Sequence, residues 1–116
     1  MAKYEKKVKG TYQSVLSAVD EAIKNIGAHG LELIDESECK YDDVIVLTRV
    51  YERYYIRSGN YASLTLTMVE HNDEISIIAI GAGGGTNFLN LNLGAEDDII
   101  KKFQKNLERY DTFNHD

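Results

Sequence analysis

Val44 to Arg57, V-I-V-L-T-R-V-Y-E-R-Y-Y-I-R, is the longest extended stretch of the chain, and its reading decides the fold. It holds three of the four arginines and three of the eight tyrosines. Successive side chains of a strand alternate faces, so Arg49, Tyr51, Arg53, Tyr55 and Arg57 share one face. The other face reads Val44, Val46, Thr48, Val50, Glu52, Tyr54 and Ile56. Ile45 and Leu47 share the parity of Arg49, which makes the start of the strand apolar on both sides. Either the strand is central and covered there, or a bulge switches its register midway.

Outward from this strand the hydrophobic period changes twice. Towards the N-terminus, Tyr12, Val15, Leu16, Val19, Ala22, Ile23 and Ile26 recur at helical spacing, with Gly10-Thr11 as an N-cap and Gly27 as a stop. Residues 3–9 alternate weakly and read as a lysine-rich edge strand. Leu31 and Leu33 begin a strand that ends near Ser37, and Glu38 to Asp43 reads as a polar turn. Towards the C-terminus, Ser58-Gly59-Asn60 turns the chain into Tyr61–Glu70. There Ala62, Leu64, Leu66 and Met68 alternate with Ser63, Thr65 and Thr67. His71-Asn72-Asp73 turns again into the apolar strand Ile75–Ala82. Gly81 to Gly85 reads as a flexible turn or bulge, and the alternation of Asn87 to Leu93 as a short last strand. Ile99, Ile100, Phe103, Leu107 and Tyr110 form the stripe of a helix over Ala95–Tyr110, with an acidic first turn suited to the helix dipole.

The order is β-α-β-β-β-β-(β)-α, and the short connections require antiparallel neighbours. The expected fold is α+β: a curved antiparallel sheet with two helices packed on one face, one domain over residues 1–110 and a frayed tail over 111–116. The topology resembles the TATA-binding-protein and helix-grip folds.

Composition excludes several function classes. At 116 residues with 43% hydrophobic content, the chain can bury one modest core. A net charge of −6 disfavours binding to nucleic acid or to an acidic membrane. No apolar run is long enough for a signal peptide or a membrane span, and Cys39 is the single cysteine, so the expected setting is cytoplasmic. His29, His71 and His115 have no carboxylate or cysteine at ligand spacing, so no metal site and no cofactor is expected. The glycines from Gly81 lack the lysine of a phosphate loop and lead into an acidic helix start, which repels phosphate. No catalytic set assembles.

Two sites are expected, and an enzyme is the least favoured class. With both helices on one side, the arginine half of the strand faces solvent or a partner. Arg49, Tyr51, Arg53, Tyr55 and Arg57 then form the binding surface of a non-enzymatic interaction module, for a protein partner or for another copy of the chain. The bland explanation is that arginine and tyrosine suit a half-exposed strand and stabilise it through cross-strand pairs. The alternative site is an apolar pocket between sheet and C-terminal helix, lined by Leu64, Leu66, Ile77, Phe88, Phe103 and Leu107.

The segments R-V-Y-E-R-Y (Arg49–Tyr54), G-N-Y-A-S-L-T-L-T (Gly59–Thr67) and G-G-G-T…L-G-A-E-D (Gly83–Asp97) resemble a family of small bacterial proteins known as a domain of unknown function. The resemblance is strongest from Arg49 to Asp98. It implies a small independent domain and carries no activity with it.

Overall fold

The structure is a computed structural model that describes residues 2–27, 30–55, 59–85 and 95–110. Among these residues the chain forms β1 (Ala2–Lys9), α1 (Tyr12–Lys24), β2 (Glu32–Tyr41), β3 (Val44–Tyr55), β4 (Asn60–His71), β5 (Glu74–Gly85) and α2 (Ala95–Leu107). The strands make one antiparallel sheet in the order β1-β5-β4-β3-β2, with β1 and β2 as its edges. Both helices pack on one face. The α+β class and the element order agree with the sequence; the short strand expected over Asn87–Leu93, and the tail, lie outside the described residues.

Local chemistry accounts for the elements. The Thr11 hydroxyl accepts a hydrogen bond from the Ser14 backbone N–H at 3.1 Å and starts α1. One stripe of α1, Val15, Ala18, Val19, Ala22 and Ile23, is buried. Asn72 and Asp73, with φ of 54° and 61°, make the tight β4–β5 turn, a conformation that Asn and Asp tolerate well.

Two expected turns are strand instead. Glu38 to Tyr41 belongs to β2, whose residues pair with β3 through Tyr41↔Val44, leaving Asp42 and Asp43 as the turn. An edge strand needs a ladder on one side only and no buried face, so its polar composition is no obstacle. Gly81 to Gly85 continues β5, paired with β4 through Asn60↔Gly85 and Ala62↔Gly83. Being flanked by a ladder overrides the weak strand preference of glycine.

The core lies between the sheet and the helices. Tyr4 and Val8 of β1, Ile75, Ile77 and Ala79 of β5, and Ala62, Leu64, Leu66 and Met68 of β4 meet α1 together with Ile99, Ile100, Phe103 and Leu107 of α2. The Tyr4 ring meets Phe103 edge-on, with centroids 6.2 Å apart. Asn106 Nδ2 donates to the Ala22 carbonyl at 3.0 Å and ties α2 to α1. Tyr110, expected on the α2 stripe, lies past the helix end and is exposed.

Leu64 is wholly buried beneath the helices. Leu64→Ala is therefore expected to lower unfolding free energy by about 2–5 kcal/mol in urea denaturation, the range for a buried leucine that leaves a cavity.

Candidate functional site

The pairing register assigns each side chain of the sheet to a face. On the face beneath the helices one row runs Tyr4, Ala79, Leu66, Arg49, Glu36, and the next runs Lys6, Ile77, Met68, Leu47, Glu38. Arg49 therefore shares a face with the core, not with solvent. This corrects the expectation of an exposed arginine surface. β3 pairs with β4 through Tyr55↔Asn60. That register places odd-numbered residues of β3 beside Ala62, Leu64, Leu66 and Met68, and leaves Ser63, Thr65 and Thr67 on the opposite face.

Each described member of the arginine set is committed to the fold. The Arg49 side chain is 14% exposed. Its Nη1 donates to Asp20 Oδ1 of α1 at 2.6 Å and to the Tyr51 hydroxyl at 3.2 Å, while Nε donates to Glu36 Oε1 of β2 at 2.9 Å. Burial works against its charge, but the bonds to Tyr51, Asp20 and Glu36 outweigh this and hold the guanidinium firmly protonated. Tyr51 itself is buried, which pushes its hydroxyl up against the opposing pull of Arg49.

Arg53 Nη2 donates to the carbonyls of Ile26 and Gly30, just after the C-terminal end of α1. Gly27 leaves room for this guanidinium: a Cβ there would fall 2.7 Å from Arg53 Nη1, at a φ of +70° that L residues avoid. The backbone of Tyr55 closes the ladder opposite Asn60; its side chain and all of Arg57 lie outside what the structure describes. Asp20, Glu36, and the Tyr12–Glu38 contact at 2.7 Å complete a polar seam between α1 and the β3–β2 side of the sheet. Sequence offered no sign of these partners, because the contacts join residues 13 to 29 positions apart.

Of the expected pocket residues, Leu64, Leu66, Ile77, Phe103 and Leu107 are all fully buried in one continuous core. They meet in packed core, and a ligand between sheet and α2 would have to part that packing. Phe88 is outside the described residues. Among the described residues no group of three or more His, Cys, Asp or Glu side chains is placed to hold a metal, and no helix is long and apolar enough to cross a membrane.

The opposite face of the sheet is the unexpected surface. Its rows, from β1 to β2, read Lys7, Ser76, Val69, Val46, Cys39; then Glu5, Ile78, Thr67, Thr48, Ser37; then Lys3, Ile80, Thr65, Val50, Asp35. The three central strands carry no charge in any of these rows. Every one of those central residues is at least partly exposed, and Ile80 reaches 36%. The exposed tyrosines Tyr54 and Tyr61 pair across strands at one end. Lys3 and Lys7, with Glu5 between them, line the β1 border of the block. Asp35 and Glu32 lie towards the β2 border, beside a shallow hollow of about 190 Å³ among Asp35, Glu36, Ser37, Thr48 and Val50.

The chain belongs to a family of unknown function, DUF6054, whose pattern matches residues 1–111. No curated protein matches it. Among solved structures it is similar over 92% of its length, at 10% identity and a TM-score of 0.35, to one described as the di-domain ARO/CYC StfQ from the steffimycin biosynthetic pathway. It spans 43% of that chain.

Two outcomes are expected from this geometry. In a double-mutant cycle by urea denaturation, Arg49→Met should cost about 1–3 kcal/mol and couple to Asp20→Asn by about 0.5–1 kcal/mol. The carboxylates are half-exposed and can rehydrate, which favours the low end; zero coupling would remove the clamp. In an alkaline titration, Tyr4 beside Glu108, Tyr12 beside Glu38, and Tyr51 should resist ionisation. Burial is the first cause in each, with the carboxylates adding to it for Tyr4 and Tyr12. Folded-state values above the ordinary one near 10 mean a stability contribution that is complete below about pH 10 and lost as pH rises beyond it. Near-ultraviolet absorbance should show these tyrosines ionising only as the fold gives way.

Proposed function

We propose that the chain is a non-enzymatic interaction module that docks through the face of its sheet opposite the helices. The observation that carries this reading is the uncharged block across β5, β4 and β3, half-exposed and bordered by charge. Contiguous neutral, β-branched surface of this kind is uncommon on a face that meets only water, and it marks places where another surface packs. The arginine set is a weaker candidate for the docking surface. The donors of Arg49 and Arg53 are engaged by Asp20, Glu36 and two backbone carbonyls, so a ligand would have to displace them.

The test compares three tagged forms in their source cells: wild type, Val50→Lys/Ile80→Lys, and Glu21→Gln on the exposed outside of α1. The paired lysines put charge in the middle of the block while leaving the core face untouched, so circular dichroism and thermal midpoint should stay close to wild type. Partners that co-purify with wild type and Glu21→Gln, including an untagged copy of the same chain, should be lost from the double-lysine form. Identical bound sets in all three would overturn the reading.

A further inference from the structure

We infer that the occupant of this face is a second copy of the chain, packed sheet against sheet about a two-fold axis that runs along β4. The inference rests on the reading of the outer face as a docking surface and goes beyond it by fixing partner and register.

The argument is a symmetry argument on the rows. A rotation of 180° about an axis parallel to the strands and level with β4 leaves each row at its own height and reverses its order. The row Lys3, Ile80, Thr65, Val50, Asp35 then lies over Asp35, Val50, Thr65, Ile80, Lys3 of the other copy. Lysine meets aspartate at both ends, isoleucine meets valine inside, and threonine meets threonine on the axis. Rotation about the perpendicular in-plane axis instead stacks β1 on β1 and β2 on β2. With that axis level with Glu5, Lys3 meets Lys7 of the other copy and Glu5 meets Glu5. Like charges across an interface are unfavourable, so the axis along β4 is selected.

Size and shape agree. Strands of 12 residues (β3, β4 and β5) extend for about 40 Å at roughly 3.4 Å per residue, and five strands at roughly 4.8 Å spacing span about 20 Å. The face is then on the order of 800 Å², which matches one partner's share of a standard interface. Aligned sheets pack about 10 Å apart with a rotation near −30°, so the rows close to the crossing point hold their register best. The hollow is floored by Thr48 and Val50 and bordered by Asp35. It suits the apolar stem and charged tip of a lysine, here Lys3 of the second copy. In the monomer Lys3 pairs at the surface with Glu5 at 3.0 Å, a contact weak enough to exchange. The product is a four-layer body with helices outside and the two sheets within.

The test is charge exchange between copies, read by sedimentation velocity and by light scattering after gel filtration. Wild type should sediment as a dimer, and Asp35→Lys and Lys3→Glu should each weaken it, because each makes two like-charged contacts. A mixture of the two single variants should recover, since a mixed dimer has opposite charges at both ends. The expected shift for each single variant is roughly threefold to thirtyfold in dimer dissociation constant, recovered on mixing. Both substitutions are on exposed side chains, and circular dichroism checks that the fold is kept.

A monomeric wild type at about 100 μM, far above the dissociation constants of stable dimers, would overturn the second copy as occupant. The docking reading would still stand or fall separately on the partners lost from Val50→Lys/Ile80→Lys. Open-ended oligomers instead of a dimer would point to β1-to-β2 edge pairing and would overturn the inference. So would a dimer indifferent to both charge variants and to their mixture.

Discussion

The register of β3 against β4 is the constraint on which the rest of the structure depends. Once Arg49 lies opposite Leu66 and Tyr51 opposite Leu64, one parity of β3 is committed to the core and the other to the outside. The period of a strand is two, so a slip of one residue would exchange the faces completely. It would carry Thr48 and Val50 under the helices and turn Arg49 and Arg53 into water. The core rows of β4 and β5 are apolar without a break, and they hold the register against that slip. The arginines accept the inner face because the helices do not seal it at the β2 side, where Asp20 and Glu36 meet Arg49 at a half-open seam.

The same constraint explains what the sequence revealed and what it hid. Both helices were legible, since stripes such as Val15, Val19, Ala22 and Ile99, Ile100, Phe103 follow from local spacing. The apolar alternation of β4 was equally plain. The face of β3 was not, because it hangs on the length of the connection to β4. Reading Ser58-Gly59-Asn60 as the whole turn implies three connecting residues, whereas Tyr55↔Asn60 leaves four. One residue decides whether Ser63 and Thr65 or Leu64 and Leu66 stand beside the arginines. The apolar parity of Ile45 and Leu47 already pointed to the observed face: the strand is covered there, with no switch of register along its pairing with β4.

Arginine on a core-facing position is costly unless its donors are met, and this chain meets them from three separate segments. Asp20 comes from α1, Glu36 from the edge strand, and the carbonyls of Ile26 and Gly30 from the helix exit. Arg49 and Arg53 thus fasten the first helix to the sheet at two points along it, while its apolar stripe and the bond from Asn106 fasten it to α2. The polar seam supplies direction where apolar packing alone would let the helix slide. It also accounts for why Arg49 and Arg53 share one strand without forming a surface for anions.

The outer face follows from the inner one by elimination. A sheet covered on one side by two helices commonly shows polar side chains on the other, in strict alternation. Here β4 keeps to that rule with Ser63, Thr65 and Thr67 as far as Val69, but β3 and β5 set valine and isoleucine outward more freely. Those residues gain little where they stand if the face meets only water, and strand propensity alone would be met as well by threonine throughout. In these rows the charge stands at the borders, Lys3 and Lys7 with Glu5 between them on β1 and Asp35 on β2, and the row from Lys3 to Asp35 reads as charge, neutral block and opposite charge. A row of that form is complementary to its own reverse. Two-fold symmetry performs that reversal, which is why the row pattern, rather than the number of apolar residues, is the stronger argument for what this face meets.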